Sequence, residues 1–177
     1  MKNRLFIAAT VVLALLGIWS TPAMAAPIPM TGSKRLDAVI VKSDPSGAGL
    51  RVVTRVVAKG VFSSIGQVVE RDNEPGDADN VTRDDLVFTE GIIHIFSENL
   101  DVAFSLDDRT CSFTVTALQA TTIDGGTGQF ATAVGRFDST VRARGVFARN
   151  SDRSCDLETR QPIIEVDLVK ATGTLTL

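Results

Sequence analysis

Tyrosine is absent from the 177 residues, while tryptophan and histidine occur once each, as Trp19 and His94. Without tyrosine no phenol can act as acid or base, and a single histidine excludes any multi-histidine metal centre. Trp19 lies in a segment read as a removable signal. Phenylalanine is then the only aromatic of the mature chain, which argues against tryptophan or tyrosine stacking platforms. Positive charge is not in excess either: 18 Lys and Arg stand against 21 Asp and Glu, a formal net charge of −3. That balance excludes an electrostatic nucleic-acid binder.

Residues 1–25, MKNRLFIAATVVLALLGIWSTPAMA, have the layout of an export signal. Lys2 and Arg4 precede a run from Leu5 to Ile18 that carries no charge, Pro22 breaks it, and Ala23-Met24-Ala25 presents small residues at the cleavage positions. The run is shorter than the ~20 residues a spanning helix needs. An uncleaved anchor is the alternative; cleavage before Ala26 is the expectation, with a secreted or periplasmic product and no membrane span after cleavage. The mature chain loses Lys2 and Arg4, so its net charge falls by two, to −5. Its length suits one domain.

Cys111 and Cys155 are the only cysteines. Export makes a disulfide between them the expectation. Closing a loop of roughly 45 residues stabilises by about 4 kcal/mol. With His94 as the only other soft ligand, no metal is implied.

Residues 26–35 contain Pro27 and Pro29 and few large apolar side chains, and read as a flexible leader before a domain spanning 36–177. From there Val, Ile, Thr and Phe cluster in short runs separated by Gly, Asp, Asn, Ser and Pro, the signature of strands and turns. The expected strands are Leu36–Lys42, Leu50–Phe62, Gly66–Arg71, Asp85–Thr89, Gly91–Phe96, Val102–Leu106, Thr110–Ile123, Gly128–Arg149 with breaks, and Ile163–Leu177. Period-2 alternation supports them. Cys111, Phe113, Val115 and Ala117 share one face, and Phe137, Val141, Ala143 and Phe147 another. No mature segment has a 3.6-residue period. The fold class is therefore all-β. A closed antiparallel barrel of about eight strands, following the signal helix, removes the edges such strands would otherwise expose. The strand near Leu50–Phe62 is expected to close onto a late one.

Glu70–Asp85 is acidic and lacks an apolar run, so it reads as a solvated loop; Asp77 and Asp79 hold alternate oxygen ligands, a weak calcium pattern without the distal glutamate. Asp124-Gly-Gly-Thr-Gly-Gln-Phe-Ala-Thr-Ala-Val-Gly135 is the most specific local pattern. No helix follows its glycines, so it is not a phosphate loop. Gly125 and Gly126 are expected in a tight hairpin turn, and Gly128 and Gly135 at a bulge or a sharp coil of a strand.

This segment resembles the GGTG-x-F/Y-x-x-A-x-G signature of the allene oxide cyclase and dirigent-like barrel superfamily, closest to its secreted bacterial members of unknown function. Leu86–His94 resembles the family's F-x-x-G-x-h-x-h strand pair (h, apolar), Asp108-Arg-Thr-Cys111 sits where those proteins often carry a cysteine, and Ala171–Leu177 is similar to their last strand. The resemblance covers roughly residues 50–177. It implies an eight-stranded barrel, often a homo-oligomer, and relatives that include cofactor-free cyclases and proteins that steer radical coupling. The family's catalytic glutamate and its aspartate and tyrosine constellations have no counterpart here, so those roles do not carry over.

Two sets of residues remain as candidate polar sites. His94 falls in phase with Ile92 and Phe96, either as a half-buried structural residue or as a base. Arg142 and Arg144 share one strand face, and Glu165 and Asp167 share a face of a later strand. If the strands are neighbours, opposite charges meet across the ladder, as an ion-pair patch on the outside or as desolvated groups in the barrel mouth. The apolar residues on the opposite face favour the outside. Three functions fit, in this order: non-catalytic binding of an apolar small molecule or partner, a cofactor-free cyclase or isomerase, and a structural envelope protein. No cofactor is implied by any of them.

Overall fold

The computed structural model describes residues 30–44, 49–157 and 162–177; the signal segment lies outside them, as do residues 26–29 of the expected leader. Eight strands follow in chain order: β1 Thr31–Ser43, β2 Arg51–Gly60, β3 Ser64–Arg71, β4 Val81–Phe88, β5 Gly91–Asp107, β6 Ser112–Gly126, β7 Val134–Phe147 and β8 Pro162–Thr176. Each pairs antiparallel with the next, and β1 pairs with β8, so the sheet closes into a barrel.

The closing strand starts earlier than its composition indicates. Thr31–Arg35, read as leader, run along β8 from Thr31 opposite Thr176, and it is this strand, not the one near Leu50–Phe62, that seals the barrel. Ladder pairing is a backbone property, so small and polar residues enter it when their side chains find a place. The runs Gly91–Phe96 and Val102–Leu106 are one strand, β5, with register irregularities at Ile93/Ile95 and Asn99/Asp101. The acidic loop is shorter than expected, because Glu70 and Arg71 end β3 and Val81–Asp85 belong to β4.

Alternation decides what fills the barrel. Leu36, Val56, Ala58, Leu86, Ile93, Ile123, Phe137 and Leu175 point inward and are nearly inaccessible. Each large apolar side chain so buried contributes roughly 1.5–3 kcal/mol. Among the described residues no helix is long and apolar enough to cross a membrane.

One end of the barrel is shut. A single 3-10 turn, Gly128–Phe130, carries Phe130 across the opening, where it is 1 % exposed. Its ring lies 4.8 Å from that of Phe62 and 5.8 Å from that of Phe88, and Phe62 and Phe88 meet edge to face at 5.4 Å. The glycine-rich segment makes this plug. Gly125 and Gly126 are the last residues of β6 and not a tight hairpin turn; the reversal follows them, through Thr127–Ala133. Gly126 is needed because a Cβ there would stand 2.0 Å from the Ile92 carbonyl oxygen, and Gly128 because its φ is +60° and a Cβ would reach 2.4 Å from the Glu90 oxygen. Gly135 sits in a regular stretch of β7, opposite Ile123, without a bulge.

At the other end Cys111 and Cys155 are joined, with Cα atoms 5.4 Å apart. The bond ties the connection after β7 to the turn between β5 and β6. Phe113 and Phe147 stack beside it at 4.5 Å, in a cluster separate from the main core.

Candidate functional site

Above the plug the barrel is hollow. Its inner chamber has about 60 Å³ between walls of Leu36, Ala38, Val56, Leu86, Ile95 and Ala171. A belt of hydroxyls crosses one side: Ser97 and Thr121 share a hydrogen bond of 2.8 Å, and Thr121 and Ser139 one of 3.0 Å. Because each hydroxyl both donates and accepts, the three satisfy one another inside an apolar wall.

The chamber continues into the open end. A second hollow of about 190 Å³, open to solvent at the mouth, shares Ile40, Val68, Gln119 and Val169 with the first. Its rim brings Lys42 from β1, Glu70 from β3, Asp84 from β4 and Asp167 from β8. On this side the seam between β2 and β3 loosens. Their paired register covers Val56–Ala58, and beyond it the Thr54 hydroxyl takes over, accepting from the Val68 amide at 2.9 Å and donating to the Val68 carbonyl at 2.7 Å.

Asp167 is the least solvated group of the rim, its side chain 9 % exposed. One carboxylate oxygen stands 3.8 Å from the Lys42 ammonium, beyond hydrogen-bond range, and the other, Oδ1, is buried with no hydrogen-bond partner. Burial, with the Glu165 carboxyl next to it, pushes Asp167 up to about 7; Lys42 opposes the rise. Burial and Glu70 likewise push Asp84 up to about 6. Among the described residues no group of three or more His, Cys, Asp or Glu is close enough to hold a metal ion.

The charged set expected from the sequence is divided by the barrel wall. Ala143 pairs with Asp167 and Gly145 with Glu165, so Arg142 and Arg144 alternate with the residues opposite the two acids. Phe137, Ala143 and Phe147 turn inward, which puts Arg142 and Arg144 outside, where Arg142 lines a shallow groove with Thr140, Leu168 and Lys170. Asp167, in phase with the buried Ala171 and Leu175, turns in. The ion-pair patch across these strands is therefore absent, and Glu165 and Asp167 belong to the mouth. His94 is also outside, since Ile93 faces the core; its Nδ1 lies 2.7 Å from Asp85 Oδ1, and Arg71 stands 3.5 Å from the same oxygen. In the acidic loop both Asp77 oxygens are held by Arg83, at 2.7 and 3.0 Å. Those bonds, with the Glu74 amide, hold Asp77 well below the usual carboxylate range, at about 2, and occupy the oxygens a calcium ion would need.

Lys42, Glu70, Asp84 and the hydroxyl belt carry no sequence motif. Parity gives the signal that finds Asp84 and Asp167: Asp84 stands two and four residues before Leu86 and Phe88, and Asp167 two, four and eight before Val169, Ala171 and Leu175. No family model, curated protein or solved structure matches the chain.

Proposed function

We propose that this is an exported barrel that binds an apolar small molecule in its lumen without transforming it. The observation that carries the reading is the hollow: an apolar chamber, shut by aromatic rings at one end and joined at the other to a polar mouth. A structural envelope protein needs no such space. The disulfide and the signal-like first 25 residues support a site of action outside the reducing cytoplasm.

Native mass spectrometry of the exported protein is the direct test. A mass increment that disappears on denaturation is expected, and so is uptake of the neutral apolar dye Nile red. Ala171→Phe, which sends a ring into the chamber, abolishes uptake while circular dichroism shows the strands retained. Bare protein that also ignores the dye sinks the reading. A cofactor-free isomerase is the second reading, favoured by Asp167, a carboxyl that holds its proton close to neutrality beside an apolar chamber. A ligand returned chemically changed after incubation separates the two.

A further inference from the structure

We propose that the mouth selects, among apolar ligands, those carrying a basic amine head group, with the ammonium seated against Asp167 in the hollow that Asp84 also lines. The inference rests on the lumen-binding reading and adds the chemistry of the ligand's polar end.

Three observations converge. Among the described residues the rim is unbalanced, because Glu70, Asp84, Glu165 and Asp167 meet a single inward ammonium, Lys42. The Lys42 ammonium stands 3.8 Å from Asp167 without closing on it, and Asp167 Oδ1 is buried with no N–H or hydroxyl donor, its nearest polar neighbour being the Glu165 carboxyl, which cannot neutralise it. The hollow holding these carboxyls adjoins the apolar chamber, sharing Ile40, Val68 and Val169 with it, so a molecule with its tail against those side chains carries its head to them. The carboxyls are too dispersed for a metal ion among the described residues. An alkylammonium fits better, since its three N–H donors can reach separate acceptors. A carboxylate head would meet like charge, and an alcohol could satisfy one oxygen without the Coulomb gain.

The ionisation of the rim adds a pH signature. The groups facing Asp167 are Lys42 from β1, Glu70 from β3, Asp84 from β4 and its strand neighbour Glu165, while β2, β6 and β7 present the neutral Val52, Thr54, Gln119 and Val141. Burial holds protons on Asp84 and Asp167 below about 6 and about 7 respectively. An ammonium gains full attraction only once both are ionised, so amine affinity rises with pH through that range.

The experiment measures displacement of Nile red by octylamine, octanol and octanoate in the full-length exported protein. Octylamine is expected to bind about tenfold more tightly than octanol at about pH 8, with octanoate weakest. The amine preference shrinks at about pH 5, where the carboxyls are neutral, while octanol stays level. Asp167→Asn and Asp84→Asn each reduce the ratio of octylamine to octanol affinity, in protein that still melts in one cooperative transition. Equal binding of octylamine and octanol by the wild type overturns the head-group inference and leaves lumen binding standing. Nile red uptake with no displacement by any of the three overturns the inference alone, and absence of Nile red uptake removes the lumen reading and this inference with it.

Discussion

At the shut end of the barrel Phe62, Phe88 and Phe130 close over Ile93, Ile123 and Leu175, and the backbone comes close enough that Gly126 admits no side chain. At the open end the same inward positions hold Lys42, Asp84 and Asp167 around a hollow, and Cys111–Cys155 ties the connections together. The strands are continuous between the ends, so backbone pairing cannot explain the difference. What changes is the side chain every second residue brings inside. One end is stabilised by packing. The other leaves a hydrogen-bonding oxygen unsatisfied and is held by a covalent link, which stabilises without filling the space a ligand needs. Stability is concentrated where no chemistry is on offer.

Cutting the plug is expected to have the largest effect. Phe130→Ala leaves a cavity among three rings and lowers stability by about 3–5 kcal/mol, read from urea unfolding. A loss below about 1 kcal/mol would mean that the shut end is not the stabilising one. Removing the tie comes next. Cys111→Ser with Cys155→Ser is expected to lower stability by about 2–4 kcal/mol. Amide hydrogen exchange in this variant should quicken first around residues 108–111 and 148–157 and last at Ile93 and Ile123. Uniform acceleration would erase the contrast between the ends.

The barrel could be read from the sequence because alternation and turn residues are local signals. Cys111–Ala117 and Phe137–Phe147 face as their patterns say. The plug could not be read that way. The glycines of 125–128 look like a hairpin turn until the backbone they approach, at Glu90–Ile92, is known, and that approach is a contact between distant segments. The mouth was half legible. Glu165 and Asp167 stand out as acids on one strand face, but pairing them with Arg142 and Arg144 takes the nearest charges as partners and ignores parity. Carried back from Leu175 through Ala171 and Val169, parity turns both acids inward, and carried from Phe137 it turns both arginines out. Lys42 and Asp84 were missed because a single charge at the end of an apolar strand reads as its boundary.

The two ends should also respond to pH with opposite slopes. Asp167 has a folded pKa of about 7 against an ordinary 3.8, so between these values the folded protein binds more protons than the unfolded chain. Stability therefore falls as pH rises from about 4 to about 7, by on the order of 1–2 kcal/mol. Lys34, at the shut end, lies 3.2 Å from the centroid of the Phe62 ring and donates to the Phe62 carbonyl. Burial lowers it to about 8 from 10.5, so there the unfolded chain binds more protons and stability rises with pH between those values. A minimum near pH 7–8 is expected in a plot of unfolding free energy against pH. Asp167→Asn flattens its acid arm and Lys34→Met its alkaline arm. One variant flattening both arms would show that the ends do not titrate separately.

The smallest effect belongs to the outer wall, which sharpens the comparison by lying outside it. His94 holds Asp85 at 2.7 Å with its side chain 30 % exposed, and Arg142 sits in a groove on the outer face. A half-buried pair on the outer wall, still reached by water, contributes about 0–1 kcal/mol. His94→Gln and Arg142→Ala should each change the unfolding free energy by less than about 0.5 kcal/mol. Neither should alter Nile red uptake or the ranking of octylamine over octanol, since the wall separates both residues from the lumen. Loss of uptake in His94→Gln at unchanged stability would place the binding surface outside the barrel. The contrast between a packed end and a receptive end would then have no bearing on what the protein binds.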